Sequence, residues 1–328
     1  MKTFVGILFS HILLNFIILF FLDFLKKKIN IYDYPDHKKK LHKKVIPLMG
    51  GWILLFNLIL FLILKHWSLT TLEINIILCS LFFLFTGILD DKYDLSPHSK
   101  FFFLTVALIL FFSFSENMII RDLKIYGYYI YLNKGVGLFF SVLCVLLFVN
   151  AFNLFDGINL QSTLYGIYFL LFLFYKGLFI EIIFIIIIPL LFIAYLNNRN
   201  KIFMGDSGTL FLGSVISLFV IAHYTKTNSL EVDEIFLLMF LPGMDMLRLF
   251  IQRIFQRKNP FIGDREHLHH YFLALYGYKF SISSIFIISI LPSLTNFFLD
   301  SKFVITFYIV FYLLLLVYLK KKLVKKII

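Results

Sequence analysis

The sequence contains little of what a water-soluble domain is built from. Only 15% of its 328 residues are charged and only seven are proline, whereas 60% are hydrophobic and 44 are phenylalanine. The mean hydropathy is +0.90. Ordinary soluble domains carry about 25% charged residues, so this composition excludes that class and indicates that a lipid bilayer surrounds most of the chain.

Cysteine and strand-like alternation are also scarce. The two cysteines, Cys79 and Cys144, both lie in apolar runs, which excludes a disulfide framework and favours two packed cysteines within the membrane. The apolar runs do not alternate strictly between polar and apolar residues, which argues against a transmembrane β-barrel. The chain is therefore expected to cross the membrane as α-helices.

Apolar runs long enough to cross a bilayer, about 20 residues each, recur along the whole chain. They predict an all-α polytopic membrane protein with about 10–11 transmembrane helices, formed as a single domain over residues 1–328. The segment "RDLKIYGYYIYLNKG" alternates instead, and it predicts a small β-hairpin on the periplasmic side. The predicted spans lie near residues 3–25, 48–66, 72–89, 99–116, 136–152, 160–176, 178–196, 208–223, 234–252, 279–298 and 302–319.

The net charge of +12 comes from lysines beside the predicted spans, as in "LKKKI" and "KKKLVKK". This placement follows the positive-inside rule and would attract anionic lipid headgroups, whereas no basic-aromatic module for nucleic acid is visible. Nucleic acid is therefore not expected as a partner. With a cytoplasmic, Lys-rich C terminus, five polar clusters fall in the cytoplasmic loops: "YPDHKKKLHKKVIPLMGG", "DDKYD", "NAFNLFDGIN", "NNRNKIFMGDSG" and "GDREHLHH".

Aspartates are the first group that suggests chemistry. Neighbouring carboxylates repel each other unless a cation lies between them, and Mg²⁺ combines a few carboxylates with substrate phosphates. The pattern favours a diphosphate held through a metal ion, and the helix that begins near Asp206 would offer backbone N–H groups to phosphate oxygens. The alternative is that each acid is a solvated loop residue or, for Asp206, a helix cap. The aspartates predicted at this one membrane face are Asp90, Asp91, Asp94, Asp156 and Asp206.

Histidines and lysines form the second group. His267, His269 and His270 lie within four residues without the cysteines of a zinc finger, so they favour phosphate binding or hydrogen-bond donation. Lys40 and His42 belong to a lysine-rich loop that membrane topology alone explains. A phosphate-binding role for these two residues is the weaker alternative.

Four motifs in a specific order and spacing carry a resemblance: "GILDDKYDL", "NAFNLFDGIN", "IFMGDSG" and "DREHLHH". Together they resemble the polyprenyl-phosphate N-acetylhexosamine-1-phosphate transferases (glycosyltransferase family 4). The likeness is greatest to the bacterial undecaprenyl-phosphate N-acetylglucosamine-1-phosphate transferases of O-antigen and teichoic-acid synthesis. The segment "PGMDMLRLFIQR", with Asp245 and Arg253, matches the part of that family before its histidine loop.

The resemblance implies a reaction. An N-acetylhexosamine 1-phosphate, with N-acetylglucosamine the favoured sugar, would pass from a UDP-N-acetylhexosamine to undecaprenyl phosphate, and UMP would leave. This would be the first membrane step of a cell-envelope glycan, in the bacterial inner membrane with a cytoplasmic active site. Mg²⁺ is the implied cofactor, with Mn²⁺ as an alternative ion. Membrane lipid is a further partner. The resemblance leaves undecided whether the chain forms a homodimer.

Roles follow from the resemblance together with the residue patterns. Catalysis is assigned to an acidic pair and the histidine loop: Asp90, Asp91, His267, His269 and His270. Substrate binding is assigned to Asn153, Asp156, Asn159, Phe203, Lys201, Arg265, Lys40 and His42. Metal binding is assigned to Asp206, Asp91 and Asp156.

Two departures from the family pattern lie near the expected nucleotide or sugar site. Asn159 and Leu160 stand where the family commonly has Asp and Gly, and Arg199-Asn200 replaces Pro-Ala. They leave the reaction class intact and the sugar undecided.

Several rival functions fit the motifs less well. A phospho-MurNAc-pentapeptide transferase would show three consecutive histidines, where this chain has His-Leu-His-His. An intramembrane Mg-dependent prenyltransferase matches "DDKYD" but would need a second aspartate-rich motif. A CDP-alcohol phosphotransferase would need an Asp-Gly-x-x-Ala-Arg motif, which "DGINLQ" fails. A lipid flippase or transporter is the non-enzymatic alternative.

Overall fold

The structure is a computed structural model that describes residues 2–35, 44–65, 68–125, 128–259 and 266–327. Within these ranges it consists of helices and two small antiparallel sheets. The helices are α1 (Lys2–Phe20), α2 (Leu22–Ile29), α3 (Gly50–Lys65), α4 (Thr71–Tyr93), α5 (Pro97–Phe114), α6 (Lys134–Leu154), α7 (Gln161–Lys176), α8 (Ile180–Asn198), α9 (Gly205–Ala222), α10 (Val232–Leu238), α11 (Phe240–Phe255), α12 (Leu268–Tyr276), α13 (Tyr278–Thr295) and α14 (Ser301–Ile327). The strands are β1 (Tyr32–Asp33), β2 (Ile46–Pro47), β3 (Asp122–Ile125) and β4 (Tyr128–Tyr131).

All eleven apolar runs predicted as spans are helical, which confirms the all-α polytopic fold. Seven of the described helices are long and apolar enough to cross a membrane, and α1 with α2, bent by 74°, makes an eighth. Each of the other three predicted runs forms helices that are shorter than the apolar run in the sequence. The run at 234–252 is divided between α10 and α11, and α3 and α7 have 16 residues each.

The predicted hairpin is confirmed, because β3 pairs with β4 from Asp122 opposite Tyr131 to Ile125 opposite Tyr128. Asn133, which follows the hairpin, caps the next helix. Its Oδ1 accepts a hydrogen bond from the backbone N–H of Val136 at 2.9 Å and caps α6. The two-residue pairing of β1 with β2 has no counterpart in the sequence-based prediction.

Helix α9 lies at the centre of the fold, and its residues from Ser207 to Ala222 are all buried. Glycines on its neighbours allow close approach. A Cβ on Gly87 of α4 would lie 2.4 Å from the Cα of Ser207, and one on Gly51 of α3 would lie 2.3 Å from its Oγ. Small residues at helix crossings permit such packing in membranes. The packing brings the end of α4 against the start of α9, and both carry predicted acids.

Candidate active site

The end of α4 and the start of α9 are joined by Asp91. Its Oδ1 accepts from the backbone N–H of Asp206 at 2.7 Å, and its Oδ2 accepts from the backbone N–H of Ser207 at 3.1 Å and from the Ser207 hydroxyl at 2.6 Å. Gly205 has a φ of 72°, and a Cβ there would lie 2.7 Å from Oδ2 of Asp91. Asp91 therefore caps α9 from a different helix, the role considered for Asp206, and it occupies N–H groups considered for phosphate.

Lys100 of α5 lies between Asp90 and Asp206. Its Nζ is 2.7 Å from Oδ2 of Asp206 and also pairs with Oδ2 of Asp90. The other oxygen of Asp90 accepts from the backbone N–H of Leu95 at 2.9 Å. The Asp90 side chain is only 7% exposed whereas that of Asp206 is 33% exposed, so Asp206 presents the carboxylate that a solute can reach.

Asn153 and Asp156 join this cluster from the end of α6 and the loop that follows it. The side chain of Asn153 hydrogen-bonds with that of Asp206. Asp156 accepts a hydrogen bond from the Ser162 hydroxyl at 2.5 Å. Burial raises the pKa of Asp156 to about 6, the bond from Ser162 opposes this rise, and the negative charge of Asp206 adds to it.

The three histidines lie together at the start of α12. The rings of His267 and His269 stack, with centroids 5.3 Å apart and planes 9° apart, and the His270 ring lies 4.3 Å from that of His269. Burial lowers the pKa of His269 well below its usual value, and the neighbouring His270 and His267 act in the same direction. His269 is therefore a neutral ring at pH 7.

The histidine loop touches the loop that carries Asp156. A Cβ added to Gly157 would lie 1.9 Å from Nε2 of His269, so only glycine allows this contact. Among the described residues this Nε2 has no hydrogen-bond partner, although the His269 residue is only 3% exposed. The structure thus brings the acidic cluster and the histidines to one place.

The two departures from the family pattern contact each other. The Asn159 Nδ2 donates to Oδ1 of Asn200 at 2.7 Å and to the backbone carbonyl of Asn197 at 3.0 Å. Oδ1 of Asn197 in turn accepts from the backbone N–H of Leu160 at 2.6 Å. Leu160 and Asn200 both have positive φ, 70° and 54°. An amide pair therefore occupies the position where the family commonly has an aspartate.

Other predicted residues are placed less centrally. Phe203 is half-buried, and its backbone pairs with Pro47 and Gly50 rather than extending a loop. Lys201 is exposed, and Asp94 is an exposed residue that ends α4 with a φ of 52°. Lys40, His42 and Arg265 lie outside the described residues.

The implied Mg²⁺ can be tested against these side chains. Among the described residues, no group of three or more His, Cys, Asp or Glu side chains is arranged to hold a metal ion by itself. The oxygens of Asp206, Asp90 and Asn153 are nevertheless of the hard type that Mg²⁺ prefers, and Lys100 already places one positive charge between two of them. Because Mg²⁺ usually completes its shell with water and substrate phosphates, the donors fit an ion bound together with a diphosphate.

Two site residues escaped the sequence analysis. The sequence signal for Lys100 is its place at the start of α5, because a lysine near the positive end of the helix dipole is unfavourable without acidic partners. Asp245 was noted only as part of a motif. In the structure its Oδ2 lies 2.8 Å from Nδ1 of His267. Nothing in the local sequence indicates that contact.

The comparisons with known proteins confirm the resemblance seen in the motifs. A family model described as glycosyl transferase family 4 matches residues 74–224, which include the whole acidic cluster and Lys100. The undecaprenyl-phosphate alpha-N-acetylglucosaminyl 1-phosphate transferase of Salmonella typhi is 28% identical over 255 residues, which cover 74% of this chain and 69% of that protein.

Two further relatives carry the same name. The protein of Escherichia coli (strain K12) is 28% identical over 281 residues, covering 80% of this chain and 74% of its own length. The protein of Yersinia pestis is 26% identical over 258 residues, covering 74% of this chain and 69% of its own length. The chain is thus similar to these transferases over most of both lengths.

Proposed function

Because the glycosyl transferase family 4 model matches residues 74–224 and the relatives named above are similar over most of their length, we propose that this chain transfers N-acetylglucosamine 1-phosphate from UDP-N-acetylglucosamine to undecaprenyl phosphate and releases UMP. The observation that carries the proposal is the convergence of Asp90, Lys100 and Asp206 with Asp156 and the histidine loop. Carboxylates, a half-buried cation and neutral imidazole together suit a reaction between two phosphate groups.

The reaction needs charge neutralisation more than a strong base. A phosphate monoester has a second pKa near 6, so the lipid phosphate is largely ionised at pH 7. One of its oxygens would attack the β-phosphorus of the UDP-sugar. The bond from that phosphorus to the oxygen bridging to the α-phosphate would break, and UMP would leave with this oxygen. Alignment and electrostatic stabilisation would supply most of the rate enhancement.

The side chains divide this work. Lys100 would counter the negative charge that collects around the two phosphates, and Asp91 would hold the start of α9 in place through its three hydrogen bonds. His269, neutral and with Nε2 at the Asp156 loop, would orient a phosphate or sugar hydroxyl by a hydrogen bond. When bound, Mg²⁺ would neutralise diphosphate charge, held by Asp206 with Asp90 or Asp156 as the second carboxylate.

The proposal includes a cytoplasmic active site in the bacterial inner membrane. Single cysteines at His98, which is exposed near the acidic cluster, and at Tyr131 on the hairpin should react with membrane-impermeant maleimide from opposite sides. The native thiols give little background, because Cys79 is buried and Cys144 is half-buried. Labelling of both sites from the periplasm would contradict this orientation.

A release assay tests the reaction itself. Purified protein with undecaprenyl phosphate and Mg²⁺ is given a panel of UDP-N-acetylhexosamines, and both UMP and the lipid product are measured. UDP-N-acetylglucosamine should give both products. The Asp206→Asn variant should be nearly inactive, whereas Asp94→Asn, changed at an exposed position on the neighbouring helix end, should keep wild-type turnover. Absence of UMP with every UDP-sugar would refute the proposal.

A further inference from the structure

Asp245 is a buried junction behind the histidine loop. Its Oδ1 accepts from Nη2 of Arg248 at 2.8 Å and from the hydroxyl of Tyr312 at 2.9 Å. Its Oδ2 lies 2.8 Å from Nδ1 of His267 and accepts from the backbone N–H of Leu268 at 3.2 Å. Both carboxylate oxygens therefore have two partners each, and the side chain is only 7% exposed.

This junction connects three helices that are distant in sequence. Asp245 and Arg248 belong to α11, Tyr312 to α14, and His267 precedes the first residue of α12. Arg248 strengthens the assembly, since its Nε donates to the Tyr312 hydroxyl at 2.9 Å and its Nη2 to the backbone carbonyl of Glu266 at 2.6 Å. The position of the histidine loop is thus set from α11 and α14 rather than by the loop itself.

The chemistry of the four partners fixes the proton on His267. An ionised carboxylate only accepts hydrogen bonds, and arginine only donates them. The Nδ1 of His267 must then carry a hydrogen, which leaves Nε2 as the nitrogen with the free lone pair if the ring is neutral. The same contact sets the plane of the ring, and His269 stacks on this plane within 9°.

We propose that Asp245 and Tyr312 are positioning residues that hold His267 in its Nδ1–H form and in the ring plane on which His269 packs. The consequence reaches the acidic cluster, because His269 contacts Gly157 beside Asp156. The inference rests on the proposed function only in treating the histidines as part of the reaction. Loss of the hydrogen-bond partner of a metal-bound histidine typically costs about 10- to 100-fold in activity, and we expect a loss of the same order here.

Asp245→Asn is the decisive change. Because Arg248 only donates, the amide oxygen of the variant should stay on the side of Arg248 and Tyr312, and the amide NH₂ should face His267. His267 would then have to accept at Nδ1 and carry its hydrogen on Nε2. We expect kcat for UMP release to fall about 10- to 100-fold while KM for the UDP-sugar changes less than about threefold.

Tyr312→Phe has a matched control. Loss of one of the four partners of Asp245 should lower kcat about three- to tenfold. Tyr308 lies one turn earlier on α14 and is also buried, and its side-chain hydroxyl makes no hydrogen bond with another described residue. Tyr308→Phe should therefore leave kcat unchanged. Equal kcat values for the two variants would overturn the proposal, and this comparison also serves if Asp245→Asn does not fold.

A second readout does not depend on activity. In detergent-solubilised protein labelled with ¹⁵N-histidine, the His267 signals are identified by their loss in His267→Gln. Wild-type protein should show a protonated Nδ1, and Asp245→Asn should show the hydrogen on Nε2. An unchanged His267 ring in Asp245→Asn would refute the positioning role. The two proposals can fail separately. If the wild-type protein releases no UMP, but the His267 hydrogen moves from Nδ1 to Nε2 in Asp245→Asn, the proposed reaction fails while the positioning inference stands.

Discussion

The Ser207 hydroxyl donates to the carboxylate of Asp91 at 2.6 Å, and the Ser207 backbone N–H donates to the same oxygen at 3.1 Å. The two residues are 116 positions apart in the chain. The second aspartate of a pair that reads as catalytic in the sequence is therefore a cap for the central helix. The acidic pair divides into Asp91, which holds α9, and Asp90, which faces Lys100.

Asp91→Asn tests this division. The amide has one acceptor oxygen in place of two, so one buried donor of α9 would lose its partner at a cost of about 1–3 kcal/mol in the free energy of unfolding. Thermal unfolding in detergent should show a lower midpoint. Asp94→Asn is the control, because Asp94 is exposed and has a φ of 52°, which asparagine adopts readily. A wild-type midpoint for Asp91→Asn would contradict the capping role.

Lys100→Met removes the cation between Asp90 and Asp206 while keeping an unbranched side chain. Two carboxylates would then face each other and the incoming phosphates without compensation, and turnover should fall about 100-fold or more, as when other charged groups at reacting phosphates are lost. Lys100→Arg should retain more activity because it keeps the charge. The assay is UMP release, with Lys92→Met as an exposed control on the end of α4. Near-normal turnover in Lys100→Met would remove Lys100 from the site.

Gly157→Ala should displace the His269 ring, because the new Cβ would lie 1.9 Å from Nε2. We expect loss of most UMP release, because a displaced His269 ring would no longer lie beside the Asp156 loop. Gly243→Ala is the matched control, as a Cβ there meets nothing within 4 Å. If Gly157→Ala kept full activity, contact between the two loops would have no part in turnover.

Stability should depend on pH through His269. Burial lowers the folded-state pKa of His269 well below 6.5. The neighbouring His270 and His267 add to this effect, and Asp245 opposes it. Below pH 6.5 the unfolded chain binds a proton that the folded ring does not. The contribution of His269 to the free energy of unfolding is therefore fully present above pH 6.5. It is lost as the pH falls towards the folded-state pKa, by up to about 1.4 kcal/mol per pH unit.

The measurement is the difference between unfolding midpoints at pH 7.5 and pH 5.0. This difference should shrink in His269→Gln and stay unchanged in His98→Gln, where the histidine is exposed. An equal difference in wild type and His269→Gln would show that His269 does not contribute to it.

Asn159 and Asn200 should be coupled. Asn159→Asp would place a carboxylate against Oδ1 of Asn200 and the carbonyl of Asn197, where the wild-type amide donates, so activity and thermal stability should both fall. Asn200→Gly removes one of these acceptors and tolerates the positive φ at that position. The double variant should recover part of the loss with UDP-N-acetylglucosamine, and additive losses in a double-mutant cycle would exclude the coupling.

Local sequence was sufficient for the membrane-spanning helices and the hairpin. Apolar length and strand alternation are properties of neighbouring residues, and each predicted run is helical or paired as expected. Local sequence also identified the acids, asparagines and histidines as candidate site residues, because polar groups next to apolar helices are costly unless they have a role. Where the runs end was less certain, as α10 and α11 show, since tertiary packing decides whether an apolar run forms one helix or two.

The contacts of each polar residue were decided only by the tertiary structure. Asp90 and Asp91 are adjacent in sequence, yet successive residues on a helix point about 100° apart, so one faces Lys100 and the other the start of α9. Lys100, Ser207 and Tyr312 gain partners on other helices that are 106, 116 and 67 residues away in the chain. Sequence determines which groups are available at the membrane face, whereas a hydrogen bond or ion pair requires atoms within about 3 Å, and only the packing of helices sets that distance.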